Sequence, residues 1–185
     1  MRRLFEDLCE TIMEITPTPA EEPVGFMDRA TDPAWTERLT RAVAHCRVFV
    51  PLYSPRYFDS PVCGQEWSAF AGRTAVQRRG GSGHQTGIVP VWWVPVPRGS
   101  LPPVASSLQF NHSDFGTDYL SNGMRALSLT DDYRDSYQLA VHRLAQRIVQ
   151  VSESLAINPG PRQDFTTLPS AFTPPDPGES TGRQP

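Results

Sequence analysis

Residues 47–70 read RVFVPLYSPRYFDSPVCGQEWSAF, and the reading of this stretch decides the fold. Arg47 to Tyr53 is an apolar run suited to a buried strand. Pro51 within it cannot donate to a ladder and belongs at an edge or a bulge. Ser60-Pro61 joins a good N-cap to the residue best suited to the first helical position. A helix is therefore expected to start at Ser60 and run to about Arg78, with Cys63 and Glu66 in its first turns. Cys63, Trp67 and Phe70 form its apolar stripe.

The flanking sequence extends this alternation of strand and helix. Toward the N-terminus, Leu4, Leu8, Ile12 and Ile15 recur at helical spacing and predict a helix over 2–15. Val24 to Met27 is a short apolar run, a candidate strand. Asp32-Pro33 repeats the cap-plus-proline start. The helix it predicts over 33–46 places Trp35, Leu39, Ala42, Val43 and Cys46 on one face. Toward the C-terminus, Gly80 to Gly83 is a break, and IVPVWWVPV over 88–96 reads as a further strand. Trp92 and Trp93 point to opposite faces of any strand, so both faces must be covered, as in a parallel α/β sheet. A short apolar piece spans 108–110, and a short helix is expected over 119–127. The clearest helix lies over 133–153, where Tyr137, Val141, Leu144, Ile148 and Val151 keep helical spacing. From Asn158 the chain holds seven prolines in 28 residues and reads as a disordered tail. The expected division is an α/β domain over 1–156 and a Pro-rich tail over 157–185. The fold class expected is α/β, a doubly wound parallel sheet.

Composition narrows the function classes. The formal net charge of −3 offers no electrostatic reason for nucleic acid or an anionic membrane as a partner. All 17 basic residues are arginine, a pattern that fits a GC-rich genome before it fits any function. Cys9, Cys46 and Cys63 make an odd count without Cys-x-x-Cys spacing, which argues against zinc and for reduced thiols in a cytoplasmic protein. His45, His84, His112 and His142 show no metal-ligand spacing. The N-terminus lacks an apolar signal core. The run over 88–96 is far too short to cross a bilayer.

The strand that ends in Ser54-Pro55-Arg56-Tyr57 and feeds Cys63-Gly64-Gln65-Glu66 resembles the TIR domain. Gly25 to Arg29 is similar to the second strand of that family, and Ala30 to Ala34 to the loop that follows it. The resemblance implies a flavodoxin-like sheet of order 2-1-3-4-5, with ligands at the carboxyl ends of the strands. A TIR domain begins with a strand, whereas this sequence begins inside the first helix. The expectation is thus a sheet lacking its first strand, with the native chain starting upstream, the gap closed by direct pairing, or the chain not folding as a full TIR domain. The segment with Tyr119, Gly123, Leu127, Tyr133, Tyr137 and Leu144 to Val149 resembles actinobacterial TIR-like proteins encoded beside FxSxx-COOH ribosomal peptides.

Two functional readings follow from the resemblance. The favoured one is an intracellular protein-interaction or signalling module in a modified-peptide biosynthesis system. It would work by self-association or a protein partner and require no cofactor. Asp28, Arg29 and Asp32 flank its interaction loop, although Ala34 stands where the family commonly has glycine. The alternative is an NAD glycohydrolase in which NAD is the substrate and Glu66 the catalytic carboxylate. Cleavage of the nicotinamide–ribose bond passes through an oxocarbenium-like state that a carboxylate stabilises. Ser54, Cys63 and Trp67 are the candidate pocket residues. Each also has a plainer role: Glu66 as a helix-start acid favoured by the dipole, Cys63 as a small buried side chain, and Trp67 as core.

Overall fold

A computed structural model of the chain describes residues 1–17, 24–27, 35–78, 86–161, 164 and 167–173. Strands and helices follow the chain as α1 (Arg2–Ile15), α2 (Trp35–His45), β1 (Leu52–Tyr53), α3 (Pro55–Phe58), α4 (Pro61–Ala71) and β2 (Ala75–Gln77). After these come β3 (Val91–Trp92), α5 (Pro103–Ser106), α6 (Thr117–Leu127), α7 (Arg134–Ser154) and β4 (Leu155–Ile157).

The strands are shorter than the apolar runs that announce them. β1 pairs parallel to β3, with Leu52 opposite Val91 and Tyr53 opposite Trp92. A parallel bridge joins Phe49 to Ile88 one step earlier. Proline explains the shortening. Pro51, Pro90 and Pro95 have no N–H to give, although the Pro51 carbonyl still accepts from the Val91 amide at 3.0 Å. The pleat turns the backbone groups of Val48, Val50 and Leu52 away from β3, and no backbone bond reaches them among the described residues. That edge is where the expected first strand of the sheet would lie.

A second pair was not expected. β2 runs antiparallel to β4, with Ala75 opposite Ile157 and Gln77 opposite Leu155. The helix predicted over 60–78 therefore ends at Ala71, closed at Gly72, whose N–H reaches the carbonyls of Phe70 and Ser68. Val24–Met27, expected as a strand, is irregular. The helix over 133–153 forms one residue later at each end, as α7.

Part of the segment expected as a tail, 157–161, 164 and 167–173, is described. β4 extends to Ile157, the Asn158 amide donates to Thr74 O at 3.1 Å, and the Gly160 amide to Ala44 O at 2.9 Å. Farther on, Leu168, Ala171 and Phe172 pack against the body. The reason is local: these apolar side chains meet an apolar face, which proline content alone does not reveal. The other residues of 157–185 lie outside the described set.

Two cores sit on the two sides of β1 and β3. The larger joins Leu4 and Leu8 of α1, Val89 and Val91, Met124 and Leu127 of α6, and the inner face of α7. Tyr137 of α7 donates to Asp7 Oδ2 of α1 at 2.6 Å, under the Arg3 guanidinium 4.8 Å from its ring. The smaller joins Leu39 and Val43 of α2, Tyr53, Trp67 and Phe70.

α6 is bent at Gly123, which takes φ 73 and ψ 164. Only glycine occupies that region readily. A Cβ there would also meet Trp93 O at 2.9 Å and Val94 Cα at 3.0 Å. The bend lets α6 lie against the strand end, where the Arg125 amide donates to Trp93 O at 2.9 Å.

Candidate functional site

The site grows from two capped helix starts at the carboxyl end of β1. Ser54 has extended backbone, and its Oγ accepts from the Tyr57 amide at 3.1 Å. This serine cap and Pro55 explain why a one-turn α3 forms directly after the strand. Ser60 does the same for α4, accepting from the Cys63 amide at 3.3 Å, with Pro61 in the first turn. Two short caps thus fold the chain back so that α3 and α4 pack on one another.

This geometry separates the expected site residues. Ser54 is half-buried and occupied as a cap, so its hydroxyl shapes the loop. Trp67 is 2% exposed. Its ring stands edge-on to Phe49 at 6.3 Å between centroids and 6.2 Å from Tyr53, so it belongs to the core. Cys63 is half-buried and forms no disulfide among the described residues. Glu66 is one of two buried polar residues among those described, at 9% exposure. Asp28, Arg29 and Asp32 of the expected interaction loop lie outside the described residues.

Tyr57, which the expected site omits, is what links these groups. Its phenol is held far above the usual tyrosine range, first by burial, then by the neighbouring charges of Cys63 and Glu66 and by Tyr53. The hydroxyls of both Tyr53 and Tyr57 are buried without a hydrogen-bond partner among the described residues. The Tyr53 phenol is likewise raised, mainly by burial. Around Tyr57 stand Phe58 at 5.3 Å, Phe172 at 5.4 Å and Tyr53 at 6.1 Å. The signal for Tyr57 was its place three residues after the capping serine. Phe172 carried no sequence signal, because it arrives from a segment 100 residues downstream of α4.

The other face of the strand ends holds a contrasting cluster. Tyr119 accepts from the Trp92 amide at 2.8 Å and lies 3.0 Å from His112 Nδ1. The His112 ring stacks on Trp92 at 4.4 Å. Burial raises the Tyr119 phenol, and the Trp92 amide partly offsets that rise. Below the site, Arg73 closes the C-terminus of α2. Its Nη1 donates to Val43 O at 2.8 Å and to Cys46 O at 2.6 Å, and its Nε to Asn158 O at 3.1 Å. Burial raises the Cys46 thiol, and Arg73 partly counters it. No group of three or more potential metal ligands occurs among the described residues, and no described helix is long and apolar enough to cross a membrane.

Parallel β1 and β3 with helices on both sides, and a carboxylate early in the helix that follows the first of them, define a strand–helix domain of the α/β class. The family model described as TIR domain matches residues 22–127, a span that contains β1, α3, α4, β3 and α6. The chain belongs to the TIR domain family, and with it to the flavodoxin-like α/β folds. No curated protein and no solved structure matches the chain.

Proposed function

We propose that this chain is a TIR-type interaction module, acting by self-association or by contact with a protein partner in signalling. The observation that carries this reading is the burial of Glu66 at 9% exposure, with the half-buried Tyr57 beside it. A ribose must come within hydrogen-bond reach of a catalytic carboxylate, and this one is enclosed. In this reading the module works inside the cell without a bound cofactor, and the resemblance of segment 119–149 to actinobacterial TIR-like proteins supports a role beside enzymes that modify ribosomal peptides. The full sheet it implies is doubly wound with order 2-1-3-4-5. The parallel pairing of β1 with β3 supports two adjacent strands of that order.

The alternative, an NAD glycohydrolase with Glu66 as its carboxylate, draws support from the same residue. Acids with so little exposed surface are uncommon, and one in the helix beyond a parallel strand end lies where this class of fold binds its ligands. One experiment separates the two. Wild type and Glu66→Ala are incubated with NAD at the highest attainable protein concentration while light scattering follows assembly. The module reading expects NAD to stay intact and assembly to persist in both proteins. Cleavage by wild type that disappears in Glu66→Ala would replace it with the enzyme.

A further inference from the structure

We propose that the outer face of α3 and α4 is a peptide-docking groove, that residues 167–173 are its resident occupant, and that the same segment of a second copy can take their place. The proposal rests on the contacts of this segment and does not depend on the role of Glu66.

The segment is held as a ligand is held. It belongs to no long helix and to no strand, and its residues are half-buried or exposed. Two main-chain groups are read by α4: the Ala171 amide donates to Gly64 O at 3.1 Å, and Ser68 Oγ donates to Pro169 O at 2.7 Å. Ser170 sits over Gly64. A Cβ on Gly64 would stand 2.9 Å from Ser170 Cβ and would overlap its hydroxyl. Glycine inside a helix is disfavoured relative to alanine, and the seated serine gives this one its reason. The Phe172 ring enters an aromatic pocket, 5.4 Å from Tyr57, 5.2 Å from Phe58 and 5.7 Å from Trp67.

These contacts define the chemistry the groove accepts. It takes an uncharged peptide that turns as this one does, with the Thr173 amide donating to Ser170 O at 3.3 Å, a small residue above Gly64 and an aromatic residue two positions later. Main-chain bonds supply affinity and the two side-chain seats supply selectivity, as in other modes of peptide recognition. Every copy of the chain carries the matching segment. An intramolecular occupant is favoured only by its effective concentration, on the order of millimolar for a short tether. A second copy therefore competes once the resident segment is weakened or the local protein concentration approaches that value.

Two full-length variants split the contact into halves. Phe172→Ala keeps the groove and spoils the segment. Gly64→Ala keeps the segment and blocks the groove, while improving helix propensity in α4. The proposal expects each variant alone to lack the contact, and their mixture to form a one-to-one complex by light scattering. A fluorescent peptide of residues 167–173 should bind Phe172→Ala at least about tenfold more tightly than it binds wild type, and adding Gly64→Ala should abolish that binding. On wild type, millimolar peptide should accelerate hydrogen exchange at 167–173, a reading that holds even if Phe172→Ala folds poorly. Absence of both the mixed complex and peptide-driven exchange would overturn the proposal, as would peptide binding that ignores Gly64→Ala.

Discussion

The two cores on either side of β1 and β3 are closed in different ways. On the α1–α7 side the tyrosine hydroxyls are engaged: Tyr119 with the Trp92 amide and His112, Tyr137 with Asp7. That side is covered by a 21-residue helix whose inner face is nearly all buried. On the α3–α4 side the hydroxyls of Tyr53 and Tyr57 are buried without partners, and a short segment with one phenylalanine completes the cover. Buried polar groups are normally paired, and an orphan carries a desolvation cost of about 1–3 kcal/mol. The first core has the features of a framework. The second keeps unmet polar groups and a detachable lid, as expected of a surface that is used.

The comparison can be broken at several points. The largest effect is expected from Trp67→Ala, which removes the central ring of the smaller core. A loss of about 3–5 kcal/mol would remove a large share of the roughly 5–15 kcal/mol by which a domain is stable. Chemical denaturation measures it, and a loss under about 1 kcal/mol would mean that this core contributes little to the fold. Gly123→Ala attacks the framework through its backbone. The strained φ and the contact with Trp93 O should cost about 1–3 kcal/mol, and an unchanged melting temperature would rule out the bend as a requirement.

A finer cut compares two tyrosines by the same substitution. Tyr119→Phe leaves the part-buried Trp92 amide without its acceptor and should cost about 1–3 kcal/mol. Tyr57→Phe removes an orphan hydroxyl and should be neutral or slightly stabilising. Equal losses in the two variants would erase the distinction between the cores. The smallest expected loss is that of Phe172→Ala, about 1–2 kcal/mol for a half-buried ring, read as early protease cleavage of the segment while the two cores melt together.

High pH tests both cores at once. Burial raises the phenols of Tyr53, Tyr57, Tyr119 and Tyr137 above their unfolded value, which is about 10. A raised pKa means the folded state holds its protons longer. The associated stability is intact below about pH 10 and is lost as pH rises beyond it. Ultraviolet titration should show these tyrosines ionising together with unfolding. Separate ionisation of Tyr57 in a still-folded chain would show that its side chain reaches solvent.

The helices were legible where periodicity was strong. Leu4 and Leu8 marked α1, and Tyr137, Val141 and Leu144 marked α7, because 3.6-residue spacing depends on the helix alone. The Ser54-Pro55 and Ser60-Pro61 pairs likewise carry their caps in adjacent residues. The strands were less legible. Prolines at 51, 90 and 95 cut them to a few paired residues, and the β2–β4 pair joins segments far apart in sequence. No local signal announces such a pairing.

The candidate site divides in the same way. The sequence alone determined the TIR resemblance, the strand–loop–helix that carries Glu66, the helix starts and most of the buried apolar stripe. Each of these depends on neighbours within a turn or two. Tertiary structure alone decided that Glu66 is buried beside Tyr57 and that Phe172 returns to cover the α3–α4 face. Burial and non-local packing are properties of what the rest of the chain brings to a residue. The spacing of one helix has no way to record a ring that arrives from the far end of the chain.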